Sequence, residues 1–410
     1  MKLLIKNGLI LDTKAMQITE PQDLLMVDGR IDAVGSNLAT SDNKSSFDEI
    51  IDADGHYVVP GMIDAHVHMR LTTLDFGRLA TMTEVEYGIA MSALAEATVK
   101  RGFTTVRDTG GELSGLRRAK ANGSIICPRI IHSSLMISQT GGHGDAEGGP
   151  RPVPDCACQM RHTAFGIVAD GPDAVRKAAR HLLRDGADFL KIHVSGGVAT
   201  PSDPLECTQY TAEEIRAAVR EADNRNTYVT AHGYTSAAVQ LAIENGVKCI
   251  EHGNLIDRET ADMMAARGVT LVPTLVTYAA MDEFGERLGM PETNRAKNRQ
   301  VLHDGVIALE HAKQAGVQIG WGTDLIGETQ PMQTREFDIR MAVQSPTEIL
   351  TSMYQVNPRL LGLEDEIGVL APGFTADAVV SSVNPLEDMK AFSDSEASIK
   401  HVVQDGKLIV

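Results

Sequence analysis

The sequence predicts an α/β protein, a (β/α)8 TIM-like barrel with a small β-sandwich domain formed from both termini. From about residue 60, short apolar runs alternate with longer amphipathic runs, which is the pattern of βα units around a parallel sheet. The two ends of the chain instead carry short strand-like segments separated by turns such as Asn7-Gly8 and Asp54-Gly55. We therefore expect residues 59–366 to form the barrel, and residues 1–58 and 367–410 to form the sandwich.

Eight apolar runs are candidate barrel strands, which is the number that closes such a barrel. They are residues 61–68, 104–109, 129–134, 189–194, 228–233, 249–253, 270–275 and 318–324. Helix signals lie between them: Thr211 to Glu214 is a capping box, and Ser345-Pro346 combines an N-cap with a proline at the first helical position. Glycines such as Gly246 and Gly316 predict helix ends just before the next strand.

Composition and charge exclude several classes of protein. A chain of 410 residues is long enough for a large barrel and an accessory domain. The net charge of −17, from 38 basic and 55 acidic residues, argues against a nucleic-acid partner. No apolar run reaches the length of a membrane span, and the N-terminus lacks the apolar region of a signal peptide. We therefore expect a cytoplasmic protein with no membrane partner.

The cysteines predict no disulfide framework, because there are five of them in a long chain. Cys156 and Cys158, with His162 nearby, lack a second ligand pair for zinc, and we expect a reduced pair that binds no metal. They lie within residues 138–166, a stretch rich in Gly, Pro and His. That stretch is too long for a simple βα connection and predicts a functional loop.

Six residues at or near the ends of the apolar runs predict a metal site, since catalytic groups collect at the carboxyl ends of barrel strands. They are His66, His68, Lys191, His232, His252 and Asp324. Strand side chains alternate, so His66 and His68 share a face and can bind one ion. His232 and His252 end consecutive strands and can bind a second. Asp324 ends the last strand, which lies beside the first in a closed barrel, and it can reach the first ion.

Lys191 is the unusual member of this set. An isolated ammonium inside an apolar strand is costly and readily loses its proton. The neutral amine can take up carbon dioxide to form a carbamate, an anion able to bridge two metals. Considered alone, Lys191 is better interpreted as a buried lysine paired with a carboxylate. The four histidines and the aspartate favour the carbamate, N6-carboxylysine.

With all six positions filled, the sequence resembles the binuclear-metal branch of the amidohydrolase superfamily, from Asn7-Gly8 to Asp377. The resemblance implies that His66, His68 and Asp324 bind one divalent ion, that His232 and His252 bind the other, and that carboxylated Lys191 bridges them. Among first-row ions, whose preferences overlap, we expect zinc. Relatives of this kind also imply a homo-oligomer.

Three further motifs are more specific: Ser138 to Asp145, Ser195 to Asp203, and His232-Gly-Tyr234. They resemble Xaa-Pro dipeptidases (prolidases) and Xaa-Arg/Xaa-Lys carboxypeptidases. This implies a dipeptide or N-acyl amino acid substrate whose carbonyl contacts His143 and whose free carboxylate binds Tyr234. Asp324 would then be catalytic as a proton carrier. His193 shares the face of Lys191, and we expect it to pack rather than to contact substrate.

Three alternatives remain open beside the preferred Xaa-Pro specificity. A cyclic-amide or imidazolone hydrolase would not need Tyr234 to bind a carboxylate. A carboxypeptidase for basic residues would pair an acidic loop residue with Arg or Lys; the candidates are Asp282, Glu283, Glu286 and Glu328. A non-catalytic scaffold usually loses ligands, and none is missing here.

Overall fold

The computed structural model describes residues 1–38, 46–79, 81–145, 166–200, 203–287 and 289–410. Cys156, Cys158, His162 and the second part of the predicted functional loop lie outside the described residues. Within the described ranges, no helix is long and apolar enough to cross a membrane.

The described strands fall into three groups along the chain. The first group is β1 (Lys2–Asp12), β2 (Gln17–Val27), β3 (Arg30–Gly35), β4 (Glu49–Asp52) and β5 (Tyr57–Pro60). The second is β6 (Met62–Val67), β7 (Phe103–Asp108), β8 (Arg129–His132), β9 (Met136–Ser138), β10 (Gly166–Val168), β11 (Leu190–His193), β12 (Val229–Thr235), β13 (Cys249–Leu255), β14 (Thr270–Val272) and β15 (Gln318–Ile319). The third is β16 (Ala378–Ser381), β17 (Ile399–Gln404) and β18 (Lys407–Leu408).

Helices connect the strands of the second group and follow the last of them. The described α-helices are α1 (Phe76–Leu79), α2 (Glu84–Lys100), α3 (Ser114–Ala121), α4 (Pro172–Arg184), α5 (Ala212–Asp223), α6 (Ser236–Glu244), α7 (Arg258–Ala266), α8 (Leu275–Phe284), α9 (Glu292–Ala315), α10 (Arg335–Arg340), α11 (Pro346–Thr351), α12 (Asn357–Leu361), α13 (Met389–Ser393) and α14 (Ser395–Ser398). A 3-10 helix spans Gly327–Met332 and a π-helix spans Ser352–Val356.

The second group of strands is parallel throughout, in the orders β6-β7-β8 and β10-β9-β11-β12-β13-β14-β15. Backbone hydrogen bonds from Ala65 N to Trp321 O (2.9 Å) and from Asp324 N to His66 O (2.8 Å) connect its two ends. Each of the eight apolar runs overlaps a strand, and the two short strands β9 and β10 lie outside the predicted runs. The third run ends after β8 at Ser134, which adopts φ 58°. The predicted α/β class with a parallel sheet is confirmed, and the arrangement is consistent with the predicted barrel.

The apolar core lies between these strands and the surrounding helices. Ile192, Ile250 and Leu271 of the strands are buried with Ile215 and Leu309 of the helices. Each such side chain stabilises the fold by roughly 1.5–3 kcal/mol relative to an exposed one. The core therefore fixes the strands and leaves their carboxyl ends to carry polar groups.

The predicted helix signals are confirmed at both ends of the helices. Thr211 and Ser345 are N-caps whose side chains accept from the backbone of Glu214 and Glu348, forming capping boxes. Gly316 follows α9 with φ 76°, a backbone conformation that favours glycine.

Both termini build one further sheet of eight described strands, ordered β18-β17-β16-β5-β1-β2-β3 with β4 beside β1. Strand β5 runs antiparallel to β16, with Val59 opposite Val379. The strand β5 crosses the predicted domain boundary between residues 58 and 59 and leads directly into β6. The C-terminal strands thus hold the segment that enters the parallel sheet. The sandwich itself stays a prediction.

Candidate metal centre

A cavity of about 310 Å³ lies at the carboxyl ends of the parallel strands. Its walls contain all six sequence-predicted ligands together with both predicted substrate contacts. These residues are His66, His68, His143, Lys191, His232, Tyr234, His252 and Asp324. Residues from positions 66 to 324 therefore meet in one place, although the sequence separates them widely.

The first and last strands bring two histidines against an aspartate. Asp324 Oδ1 lies 3.1 Å from His68 Nε2 and 3.4 Å from His66 Nε2. Gly322 makes this approach possible, since a Cβ at that position would lie 2.8 Å from His66 Cβ. Burial raises the pKa of Asp324, but His66 and His68 outweigh it and hold that pKa well below its usual value. Asp324 is therefore a carboxylate, the form that binds metals.

His252 reaches the cavity through an unusual backbone conformation. Glu251 lies opposite His232 in the parallel register, so these two side chains share a face and regular alternation would turn His252 away. His252 adopts φ 73°, which breaks the alternation, and Asp324 likewise adopts φ 55°. Backbone strain of this kind is typical of functional sites.

Three of the candidate ligands form a compact group. One ligand atom each from His66, His252 and Asp324 lie within 4.8 Å of one another. The Nε2 atom of His66 is buried and makes no hydrogen bond to any described residue, which leaves it available to a metal ion. Imidazole and carboxylate ligands suit zinc and other first-row divalent ions. The ring centroids of His232 and His252 are 4.6 Å apart, so His252 is adjacent to both predicted halves of the site.

Hydrogen bonds on the outer nitrogens select which ring atoms face the cavity. His252 Nδ1 lies 2.8 Å from Thr274 Oγ1, and His68 Nδ1 lies 3.4 Å from Gly110 O. A protein partner on the second ring nitrogen is the usual arrangement for a metal-binding histidine. His232 is engaged through Nε2 instead, 3.1 Å from the carbonyl oxygen of Gly196, which leaves Nδ1 for an ion.

Glu251 is a site residue that the sequence reasoning missed. Fully buried, it accepts from His66 Nδ1 at 2.7 Å, from Arg107 at 2.8 Å, and from the Thr230 hydroxyl. Burial raises the pKa of this carboxyl, but Arg107 and His66 hold it well below its usual value. The available signal was a carboxylate inside an apolar strand, directly before His252.

Lys191 lies on β11, directly opposite Thr230 of β12, and is 1% exposed. Burial lowers its pKa to about 8, while Glu251 and Asp324 act in the opposite direction. A fraction of the amine is therefore neutral near pH 7. Burial likewise holds the pKa values of His232 and His252 well below 6.5, so both imidazoles are neutral, which is the form that binds metal.

His143 lies in the loop after β9 and is held by an acidic partner. Its Nδ1 lies 2.9 Å from Asp203 Oδ2, and the same carboxylate oxygen accepts from Gly197 N at 2.8 Å. The imidazole stacks on His232 with ring centroids 4.4 Å apart. A Cβ on Gly197 would lie 2.0 Å from His143 Cε1, so only glycine lets this loop pass over the ring.

Lys297 of α9 anchors the loop that carries Asp203. Its ammonium donates to the carbonyl oxygens of Gly197 (3.0 Å), Thr200 (2.9 Å) and Asp203 (2.7 Å). The sequence reasoning assigned no role to either residue. Lys297 lies 94 positions after Asp203, so no local pattern connects them.

Tyr234 and His193 form other parts of the cavity wall. The hydroxyl of Tyr234 accepts from Tyr278 at 2.9 Å, and its backbone N–H donates to Ser195 Oγ at 2.9 Å. His193 was expected to pack, and it is indeed buried, but it also lines the cavity. Its Nδ1 makes no hydrogen bond to a described residue.

Four acidic residues were candidates for binding a basic substrate side chain. None of them is among the described residues that line the metal cavity. Three of them are bonded elsewhere: Glu283 to Arg335 (2.8 Å), Glu286 to Arg295 (3.0 Å) and Glu328 to Thr73 (2.7 Å). The fourth, Asp282, is exposed.

The fold and this cavity agree with the comparison to known proteins. The chain matches the amidohydrolase family over residues 57–409 and belongs to that family, whose members are hydrolases that generally bind metals. It is similar to a crystal structure of a prolidase in complex with N-methylphosphonate-L-proline, with 39% identity, a TM-score of 0.93, and coverage of 100% of this chain and 99% of that chain.

The chain is also similar to two other named proteins. The chain resembles a Xaa-Pro dipeptidase structure with methionine bound in the active site, with 28% identity, a TM-score of 0.87, and coverage of 100% of this chain and 99% of that one. It is also 28% identical to ochratoxinase from Aspergillus niger over 363 residues, which is 86% of this chain and 75% of that protein.

Proposed function

We propose that this chain is a binuclear metal-dependent hydrolase that cleaves the amide bond to the C-terminal residue of dipeptides or N-acyl amino acids, with Xaa-Pro bonds as its main substrates. One observation carries the proposal: His143 and Tyr234 line the same cavity as the histidines and Asp324. A group for the scissile carbonyl and a group for a free carboxylate therefore flank the candidate ligands. The prolidase and Xaa-Pro dipeptidase similarities support the choice of substrate.

The candidate ligands fit two divalent ions, for which zinc is our first expectation. His66, His68 and Asp324 would hold one ion, His232 and His252 the other, and carboxylated Lys191 both. When bound, such ions supply a water of lowered pKa and polarise the substrate carbonyl.

Asp324 is the proposed proton carrier. Its side chain is 16% exposed, which allows the carboxylate to contact both the attacking water and the substrate. It would accept the proton of the water and then deliver that proton to the departing nitrogen. In a Xaa-Pro substrate this nitrogen is a secondary amine, whose departure needs a well-placed acid.

His143 is the proposed contact of the scissile carbonyl. The bond between Nδ1 and Asp203 fixes the ring and leaves Nε2 for the substrate oxygen. A fixed donor at a developing oxyanion typically stabilises the transition state of such reactions by about 3–4 kcal/mol. Asp203 is then a positioning residue, which acts through His143.

Tyr234 is the proposed anchor of the substrate carboxylate. Its hydroxyl accepts from Tyr278, so its own proton is free to be donated to a carboxylate. The acidic residues that would recognise an Arg or Lys side chain lie outside the cavity lining, which favours an uncharged leaving residue over a basic one.

The test is a screen of metal-loaded protein against Xaa-Pro, Xaa-Arg, Xaa-Lys, N-acyl amino acids and cyclic amides. We expect hydrolysis of Xaa-Pro substrates with the highest kcat/KM. Tyr234→Phe should raise KM for dipeptides and leave metal content unchanged. Turnover of cyclic amides without any dipeptidase activity would contradict the proposal.

The remaining architectural predictions are proposals too. We propose a closed eight-stranded barrel over residues 59–366, with a β-sandwich from residues 1–58 and 367–410, in a homo-oligomer. Size-exclusion chromatography with light scattering gives the number of subunits in the assembly. An experimental structure tests whether the terminal strands form a sandwich.

A further inference from the structure

A second cavity, of about 220 Å³, adjoins the metal cavity. The two share Ala199, Met281 and Ile326 as walls. Ile326 lies two residues after Asp324, so one of the shared walls belongs to the segment that carries a candidate metal ligand. The second cavity, which we call the side pocket, therefore lies next to the candidate metal centre.

The side pocket is apolar. Apart from the three shared residues, its apolar walls include Leu74, Ala280, Met290 and Pro291. Asn294 supplies the one polar side chain among the described lining residues, and its amide already donates to the Ala199 carbonyl oxygen at 3.0 Å. No described charged side chain lines the pocket, so it suits an uncharged apolar group.

The positions of its walls indicate which part of a substrate enters. Leu74 follows β6 and Ile326 follows β15, which are the first and last strands of the parallel series, and most of the remaining walls belong to α8 and to the segment that leads from it into α9. Tyr234, the proposed carboxylate anchor, belongs to β12 near the middle of that series. In the binding mode of the proposed function, with the carboxylate at Tyr234 and the carbonyl over the ligands, the acyl side of the substrate would extend towards the side pocket.

We propose that the side pocket binds the side chain of the acyl-side residue, and that the chain prefers substrates with a bulky apolar residue or acyl group there. This inference rests on the proposed function. It deepens that function by assigning the substrate class Leu-Pro, Met-Pro and Phe-Pro, and amino acids acylated by medium apolar chains.

The experiment compares kcat/KM for Leu-Pro and Ala-Pro in the wild type and in Met290→Glu, which adds a carboxylate to the pocket wall. The wild type is expected to prefer Leu-Pro by at least about 10-fold, since each methylene in an apolar pocket changes discrimination strongly. Met290→Glu should lower this ratio by about 10-fold or more. Met290→Gln, of similar length and without charge, serves if the first variant does not fold.

The matched control is Ile307→Glu, an apolar-to-acid change at a position of α9 that is 47% exposed and outside both cavities. It should leave the ratio at the wild-type value. Calorimetric titration with L-leucinamide and L-alaninamide, which lack the free carboxylate that Tyr234 would bind, gives a second measurement that does not depend on dipeptide turnover. The wild type should bind L-leucinamide more tightly, and Met290→Glu should lose that difference.

The outcomes separate this inference from the proposed function. A wild type that hydrolyses neither dipeptide contradicts the proposed function itself. A wild type that hydrolyses both equally well, or a Met290→Glu ratio that stays unchanged, overturns the side-pocket inference alone. A further comparison varies the leaving residue, with kcat/KM measured for Ala-Leu and Ala-Pro. If Met290→Glu changes this ratio rather than the ratio of Leu-Pro to Ala-Pro, the assignment to the acyl side is wrong.

Discussion

Two sides of the cavity are built in different ways. On the strand side, His66, His232 and His252 lie within hydrogen-bonded strands, His68 directly follows β6, and Asp324 follows the last strand. On the loop side, His143 depends on Asp203, and Asp203 depends on Lys297 of a distant helix. The strand-side residues are carried by the sheet and oriented by hydrogen bonds to groups beside it, such as Glu251 and Thr274. The loop-side residues depend entirely on their long-range hydrogen bonds. We therefore expect strand-side changes to alter metal content and loop-side changes to alter turnover at full metal content.

Asp324→Asn tests the point where this comparison should break, because Asp324 is both a proposed strand-side ligand and the proposed proton carrier. The amide can still donate an oxygen to a metal but cannot accept a proton. We expect kcat to fall by about 1,000-fold or more with metal retained. Kinetics and metal analysis of the same preparation measure both quantities. Near-normal turnover would refute the proton-carrier role.

Lys191→Ala should lower turnover and metal content together. Without the proposed carbamate, the two proposed ions would lack a shared ligand, and we expect kcat/KM to fall by about 1,000-fold and most of the metal to be lost. Added acetate or propionate should restore part of the activity by occupying the vacated position. Lys100→Ala, at an exposed helix position, is the control. A fully active variant that holds two metals would exclude the carbamate.

Glu251→Gln should weaken metal binding by about 10- to 100-fold, because Glu251 orients His66. It should also lower the Tm, since Arg107 is left buried without its charged partner. Glu336→Gln is a matched control: Glu336 and Arg340 form another fully buried ion pair, outside the cavity lining. That variant should lose stability but keep the metal affinity. Equal metal affinities in the two variants would remove Glu251 from the site.

Asp203→Asn should leave the metal content intact and lower kcat by about 100-fold, the order of loss expected when a catalytic group is misplaced. Asp170→Asn is the control, since Asp170 accepts from Thr140 in the loop that carries His143 but is exposed. A positioning role predicts a change in kcat larger than the change in KM. Loss of metal from Asp203→Asn would show that the loop side supports the ligands as well.

Lys297→Met should give the smallest effect, about 10-fold in kcat, because it removes hydrogen bonds to the loop but leaves the Asp203 contact itself. The kcat and the metal content of Lys297→Met are compared with those of Asp203→Asn. A double variant no slower than Asp203→Asn alone would place both residues in one pathway, whereas multiplied losses would separate them.

The local sequence pattern was sufficient for the elements of the fold. Apolar runs predicted eight of the ten described parallel strands, and Thr211 and Ser345 predicted their helices, because periodicity and capping depend on neighbouring residues. The short strands β9 and β10 were missed because three residues are too few to show a pattern. The same logic placed the six candidate ligands near strand ends. Their convergence on one cavity followed from the order of strands.

Only the tertiary structure decided which partners hold these side chains. Regular alternation would turn His252 away from the cavity, and its left-handed backbone at φ 73° returns it. The bonds from Glu251 to His66 and from Lys297 to the Asp203 loop join residues 185 and 94 positions apart. The side pocket likewise exists only where Leu74, Met290 and Ile326 meet. Sequence patterns report the geometry of neighbours along the chain, whereas these contacts arise from packing between distant segments.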